Sequence, residues 1–262
     1  MDEIKINTMD TELPVWDLSE IYKDIDDPSI ESDIKIIKEL SENFSIQWKG
    51  KIKNLNASEF LNCIETYQNI SEKIYKIGTH SNLIFATNME DPEISRYNAS
   101  VSDKLTEISS LLVFFTLELS KLDDKTVSEW TKGTNSSKWL PYLTILRKKN
   151  DYLLDPLVEE MLIEKSATGR SAWVRLFDET SAALRFPFKK EMLSEAEILN
   201  LLSDPHPENR KLAGKSLSEV LENNKRILGM ILNVISRDRY IEDNKRGFKG
   251  IVSSRNLDNH VY

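Results

Sequence analysis

The three histidines are the first residues to consider for chemistry, because histidine serves as a metal ligand and as a general acid or base. They are His80, His206 and His260. None is followed four residues later by a second histidine, so the H-E-x-x-H helix of zinc peptidases does not occur. His80 is predicted to be a surface or hydrogen-bonded side chain within a helix, and His206 to lie in an exposed turn between prolines. We therefore predict no catalytic residue, no metal ligand and no cofactor-binding residue in this chain.

Motifs for nucleophiles and nucleotides do not occur either. There is no G-x-S-x-G sequence, no Walker A sequence and no G-x-G-x-x-G among the eight glycines. The single cysteine, Cys63, excludes an intramolecular disulfide and fits a reducing compartment. Its apolar neighbours at helical spacing predict a buried, inert thiol rather than a nucleophile.

Carboxylates and aromatic side chains leave two interpretations open. The pairs Glu159-Glu160 and Asp178-Glu179 are typical of solvated helix faces, and their spacing establishes no partner. The aromatic residues Trp173, Phe177, Phe186 and Phe188 surround a change from helix to strand. They form either a core that packs a hairpin on helices or one wall of a peptide-binding groove.

Hydrophobic periodicity predicts an all-α protein, mainly helical, with one small β-hairpin near residues 182–193. Helix starts are marked by Asp91-Pro92, by Asp155-Pro156 and by the capping-box spacing of Ser194 and Glu197. Long helices are expected over residues 29–48, 56–88, 92–121 and 208–244. Shorter helices are expected over 17–22, 125–132, 138–149, 155–167, 171–180 and 194–203, with a loop after 248.

Charge and hydropathy exclude two classes of function. The formal net charge is −8 and the pI is about 5.2, whereas a general nucleic-acid binder is basic. The longest apolar run, residues 111–115, is far shorter than the ~20 residues that span a bilayer. The N-terminus lacks the apolar segment of a signal peptide. We therefore expect a cytoplasmic protein that binds neither nucleic acid nor membrane.

Several segments, in order, resemble the N-terminal portion of oligoendopeptidase F, a zinc peptidase related to thimet oligopeptidase. The first is Leu13–Tyr22, and the strongest is the run Trp173–Thr180. The others are Leu184–Phe186, Ile198–Leu202, Asn209–Ala213, Ile231–Asn233 and Arg246–Phe248. Each segment is weak alone, but their order and spacing extend the resemblance over nearly the whole chain.

The resemblance implies a two-part helical peptidase that encloses a channel. In that family zinc is held by the two histidines of H-E-x-x-H and a downstream glutamate, which lie further toward the C-terminus than residue 262. The resemblance therefore assigns residues 1–180 to the helical N-terminal domain and residues 181–262 to the start of the catalytic domain. By itself the chain is predicted to be inactive and to form walls of the substrate channel. Its expected partners are peptides, a second copy of itself or a missing C-terminal catalytic segment.

Two questions stay open at this point. The chain is a piece of a longer peptidase, the product of a split gene or a natural truncation. The alternative function is a non-enzymatic helical protein that binds peptides or acts as a scaffold, pairing with a separate catalytic half.

Overall fold

Helices make up most of the chain, 75%, in a computed structural model that describes residues 16–133 and 135–261. The one hairpin of the described residues pairs β1 (Phe186–Phe188) with β2 (Glu191–Leu193). The predicted mainly helical fold with one hairpin is confirmed. The helices are α1 (Pro28–Trp48), α2 (Ala57–Thr87), α3 (Pro92–Ser110), α4 (Val113–Ser120), α5 (Asp124–Trp130), α6 (Leu140–Lys148), α7 (Pro156–Ser166), α8 (Arg170–Ala183), α9 (Glu195–Asn200), α10 (Pro207–Arg246) and α11 (Ser253–Asp258).

The helix starts follow local capping signals. At α3 and α7 an aspartate accepts a hydrogen bond from a backbone N–H of the first turn, and proline occupies the first helical position. Ser194 and Glu197 form the complete capping box that begins α9. These side chains satisfy amides that the helix leaves without an internal partner. The predicted starts are therefore confirmed within one or two residues.

The predicted single helix over residues 92–121 is wrong, because it breaks at Leu111 and Leu112. The amides of these two residues bond to carbonyls three residues back, at 3.2 and 3.1 Å, instead of four. A straight helix would spread the apolar run 111–115 over all its faces. After the break, α4 buries both Phe114 and Phe115 in the main core.

Two smaller predictions at the ends of the chain are also wrong. Residues 19–21 form a turn where a helix over 17–22 was expected, and the Asp17 side chain accepts a hydrogen bond from the Ser19 amide at 2.9 Å. Residues 13–15 of the same segment lie outside the described residues. After residue 248, where a loop was expected, Ser253–Asp258 form the short helix α11.

The main core lies among α1 to α6. Its centre is a group of rings in which Phe115 meets Tyr67 at 4.3 Å and Phe44 at 5.4 Å between ring centroids. Phe60 stacks on Trp130 at 4.5 Å, and the Trp130 indole donates a hydrogen bond to the Leu55 carbonyl. Aromatic pairs of this kind add about 1 kcal/mol each beyond the area that they bury.

A second, smaller core lies under the hairpin. It consists of Phe186, Phe188, Ile198 and Ala213, which come from β1, α9 and α10. Pro187 faces away from this core between the two phenylalanines, as the alternation of a strand requires. The main core uses residues from Tyr22 to Leu143 and the second core residues from Phe186 to Ala213. The domain boundary near residue 180 stays a prediction.

The helix α10 is 40 residues long and contacts α8, β1 and α9. It ends at Gly247, whose φ of 79° and ψ of 20° give a left-handed cap. A glycine adopts this conformation without the steric cost of a Cβ atom. None of the described helices, α10 included, combines the length and the apolar character that crossing a membrane requires.

Candidate functional site

The histidines and acidic residues do not come together into a metal site. Among the described residues there is no group of three or more His, Cys, Asp or Glu side chains that could hold a metal ion. A catalytic zinc site needs three protein ligands and an open position. His80 lies on α2, His206 precedes α10 and His260 follows α11. The described residues therefore do not fit the zinc ion that the resemblance implies, and we assign no reaction step to them.

His80 was expected to be either at the surface or hydrogen-bonded. It is fully buried and hydrogen-bonded, so the second environment is the one found. Its Nδ1 lies 2.9 Å from the Tyr97 hydroxyl, and the Tyr22 ring meets it edge-on at 5.2 Å. Its Nε2 has no hydrogen-bond partner among the described residues. Burial lowers the pKa of His80 because the charged imidazolium would lose its hydration. This histidine is a neutral structural residue rather than a ligand.

The stability of the protein should therefore fall with pH below the ordinary histidine pKa of about 6.5. In that range the unfolded chain binds more protons at His80 than the folded chain does, so each pH unit costs up to about 1.4 kcal/mol. We expect urea unfolding at pH 7.5, 6.5 and 5.5 to show a smaller acid loss for His80→Gln than for the wild type. Equal acid losses in the two proteins would contradict the assignment.

Cys63 and His206 have the environments that the sequence predicts. Cys63 is completely buried, and burial with a contribution from Glu118 raises the pKa of its thiol to about 12. A thiol so rarely ionised is inert at neutral pH. The His206 side chain is 80% exposed, and its Nδ1 lies 3.2 Å from the Asp204 carboxylate in the turn before α10.

Glu159 is not on a solvated face, contrary to the expectation for the Glu159-Glu160 pair. It is 7% exposed, and its two carboxylate oxygens receive the guanidinium of Arg246 at 2.5 and 2.9 Å. The Leu154 amide donates to the same carboxylate at 2.8 Å. Burial acts to raise the pKa of Glu159, but the bonds from Arg246 and Leu154 outweigh it, so the pKa is lowered. Glu159 therefore stays ionised and holds α7 against the end of α10.

Arg246 is the centre of this arrangement, which we call the Arg246 clamp: Tyr152, Glu159, Glu242, Arg246 and Phe248. Arg246 also donates to Glu242 at 2.8 Å and to the Tyr152 carbonyl at 3.2 Å. The Phe248 ring stacks on the Tyr152 ring at 4.0 Å with an interplanar angle of 8°. The sequence Arg246-Gly247-Phe248 carried part of the resemblance. Arg246 forms the charged contact, Gly247 caps α10, and Phe248 forms the ring stack.

Further polar contacts tie α11 to its neighbours beside the clamp. Ser254 donates to Asp243 at 2.8 Å and accepts from Arg239 at 3.1 Å. Lys149 donates to Asp258 at 2.9 Å, which links α11 to the end of α6. The C-terminal part of α10 is therefore fixed to α7 and α11 chiefly by charged and hydrogen-bonded side chains, and α11 is fixed in turn to the end of α6.

A polar cleft of about 420 Å³ separates α8 from α2 and α3. Its walls carry two arginines and two aspartates: Arg170, Arg175, Asp103 and Asp178. Burial raises the pKa of Asp178, with no partner to offset it. We call this space the α8 cleft. It could not be foreseen from the sequence, because its walls come from two distant segments, residues 82–103 and 167–178.

The aromatic group around the hairpin divides into two parts. Phe186 and Phe188 are core residues, as the packing interpretation predicts. Phe177 on α8 is 47% exposed, and neither it nor Trp173 is part of either core. The packing interpretation is therefore correct for the hairpin pair, whereas the groove-wall interpretation of the other two stays a prediction.

The long helix α10 exposes much apolar surface. Only Ala213, Ser216 and Ile231 of its residues are buried. Met230, Leu232 and Ile241 are about half exposed or more, at 56%, 67% and 48%. Met230 and Ile241 line a shallow groove together with Arg226 and Arg237. Met230 and Ile241 lie on the same face of α10, and a contiguous exposed apolar face is typical of a surface that another protein segment covers.

Comparison with known proteins identifies the fold. Residues 118–186 match a family model described as Oligopeptidase F. The crystal structure of oligoendopeptidase-F from Enterococcus faecium aligns with 89% of this chain and 47% of that chain, at a TM-score of 0.78 and 19% identity. The crystal structure of a candidate peptidase from Chlamydophila abortus aligns with 94% of this chain and 42% of that chain, at a TM-score of 0.57 and 13% identity. A search of curated proteins found no match.

These matches confirm the resemblance to the N-terminal part of oligoendopeptidase F. The family segment covers 118–186, the part of the chain that leads from the main core through α8 to the hairpin. The chain spans about half the length of the two solved structures, 47% and 42%. At identities of 19% and 13%, similarity to these structures establishes the fold of this chain and does not establish its activity.

Proposed function

We propose that this chain, whose fold is that of the N-terminal part of oligoendopeptidase F, forms helical walls of the substrate channel in a zinc-dependent peptidase of the cytoplasm. The catalytic zinc ligands of that peptidase would come from residues other than those described here. By itself the chain is expected to hydrolyse no peptide. The boundary near residue 180, between the helical domain and the start of a catalytic domain, is part of the proposal.

The observation that carries the proposal is the incompletely covered helix α10. Its N-terminal part is packed on the second core through Ala213, and its C-terminal end is held by Arg246. Between them Met230 and Ile241 line one groove and are 56% and 48% exposed. A further half of the molecule, of the size that the matched structures contain beyond this fold, would bury this surface. Burying it stabilises such a complex by roughly 25 cal/mol for each Å² of apolar area.

The test is a chimera in which this chain replaces the matching part of the Enterococcus faecium enzyme. We expect chelator-sensitive cleavage of a quenched fluorescent peptide by the chimera and none by the 262-residue chain with added zinc. Met230→Glu and Ile241→Glu in the chimera should reduce the cleavage, since each places a charge in the covered surface. The matched control is Leu157→Glu on α7, where the side chain is 75% exposed.

Two results would contradict the proposal. One is chelator-sensitive hydrolysis by the isolated chain, which would mean that it holds a complete zinc site. The other is a folded chimera, with the expected circular dichroism, that cleaves no peptide.

A second candidate function is a non-enzymatic helical protein that binds peptides or acts as a scaffold. The α8 cleft favours it, since the cleft lies wholly within the described residues and needs no catalytic half. The scaffold function requires association through α10 without hydrolysis. Light scattering that finds a strictly monomeric chain, together with an active chimera, would count against it.

A further inference from the structure

The α8 cleft carries charges of both signs, and three of its four charged side chains have no ion-pair partner among the described residues. Arg170, Asp103 and Asp178 form no ion pair with any residue in the described ranges, whereas Arg175 pairs with Glu179 on its own helix at 3.6 Å. On α8 the residues 170, 174 and 178 share one face, since they are four positions apart, and Arg175 lines the cleft as well. On α3 Asn98 and Ser102 face the same space. A ligand with a positive and a negative end fits this wall better than a simple anion or cation.

The α2–α3 side of the cleft offers amide groups. Asn98 donates through Nδ2 to the Ser81 hydroxyl at 3.0 Å and to the side-chain Oδ1 of Asn82 at 3.1 Å. Those bonds leave the Asn98 Oδ1 as an acceptor and the Asn82 Nδ2 as a donor, with no described residue bonded to either. One acceptor beside one donor is the complement of a peptide group, which has one N–H and one C=O.

Asp178 adds a second indication of a ligand. The carboxylate is half-buried on the cleft side of α8, and burial alone raises its pKa because no hydrogen bond or cation compensates. A positively charged group in the cleft would remove that cost. An ammonium group is the cation that an unmodified peptide brings.

The size of the cleft limits the ligand. Its volume of about 420 Å³ lies at the lower end of the range of roughly 300–1,000 Å³ for small-molecule sites. Small side chains, Ala99, Ala167, Ser171 and Ala172 among them, line the remaining wall and keep it open. This space suits a di- or tripeptide rather than a folded partner.

We propose that the α8 cleft binds a short peptide of two or three residues with both termini free. The arginine pair, Arg170 and Arg175, receives the carboxylate. The aspartate pair, Asp103 and Asp178, receives the ammonium group. Asn82 and Asn98 bond a peptide group between the two ends. The choice of a peptide rests on the proposed function, whereas the site itself is assigned from this chain alone.

The test is calorimetric binding of Ala-Ala-Ala to the 262-residue chain, compared with the N-acetylated peptide and the C-amidated peptide. We expect saturable binding of the free tripeptide and about tenfold weaker binding when either end is blocked, the value of one charge-assisted hydrogen bond. Arg170→Gln with Arg175→Gln should remove the preference for a free carboxylate and keep that for a free amine. Asp103→Asn with Asp178→Asn should remove the preference for a free amine and keep that for a free carboxylate.

The control variant is Lys215→Gln on the exposed face of α10, whose partner is Glu219 at 3.7 Å on the same helix. It should bind the three peptides as the wild type does, and circular dichroism should show equal helicity for all variants. Absence of saturable binding, equal binding of free and blocked peptides, or cleft variants that behave as the control would overturn the inference. If the chimera is active and the chain binds no tripeptide, the inferred peptide site is overturned and the proposed function is not. If the chain binds the tripeptide and the chimera is inactive, the proposed function is overturned and the peptide site is not.

Discussion

Replacing Arg246 with methionine is expected to lower the free energy of unfolding by about 3–5 kcal/mol, the usual cost of breaking one side of a buried ion pair. Glu159 would lose both bonds to the guanidinium, now 2.5 and 2.9 Å, while staying 7% exposed. The Tyr152 carbonyl would lose a donor as well. Urea unfolding of the two proteins, followed by far-ultraviolet circular dichroism, measures the difference.

The partner substitution separates the ion pair from the rest of the clamp. In Glu159→Gln with Arg246→Met no buried charge is left alone, and the glutamine oxygen can still accept from the Leu154 amide. We expect the double variant to be more stable than Arg246→Met alone, since removing both charges of a buried pair is often nearly neutral. The control Arg226→Met, an exposed arginine on the same helix, should change stability by less than about 0.5 kcal/mol. An Arg246→Met variant as stable as this control would show that the clamp contributes nothing.

Replacing Phe115 with alanine should cost a similar amount, about 3–5 kcal/mol, for a different physical reason. The Phe115 ring is fully buried, and its neighbours Tyr67 and Phe44 lie 4.3 and 5.4 Å away between centroids. Removing it gives up the burial of a large apolar side chain and leaves a cavity that rigid rings from α1 and α2 cannot fill.

Thermal and urea unfolding of Phe115→Ala measure this cost, with Ile46→Ala on α1 as the control. Ile46 is 78% exposed, so its truncation should be close to neutral. A Phe115→Ala variant that unfolds at the wild-type urea concentration would mean that the rings of α1, α2 and α4 do not form the centre of the core.

The parts of the fold that depend on neighbouring residues could be predicted from the sequence. The starts of α3, α7 and α9 follow from an aspartate before proline or from a capping box, both complete within four residues. The buried state of Cys63 follows from helical spacing. The hairpin follows from alternation around Pro187, although it is shorter than the predicted range.

The parts that depend on distant residues could not be predicted. Glu159 and Arg246 are 87 positions apart, so a carboxylate beside Glu160 was indistinguishable from a solvated one. The break at Leu111 and Leu112 depends on where the main core lies, since an unbroken helix satisfies the local pattern equally well. The α8 cleft requires α2, α3 and α8 to be assembled before Asn82 and Asp178 face the same space.

The length of α10 has a mechanical consequence. At a rise of 1.5 Å per residue its 40 residues extend over about 60 Å, comparable to the dimensions of a whole domain. The helix is a strut fixed at one end by Ala213 under the hairpin and at the other by Arg246 against α7. A displacement of the hairpin would therefore be transmitted along α10 to its contact with α7.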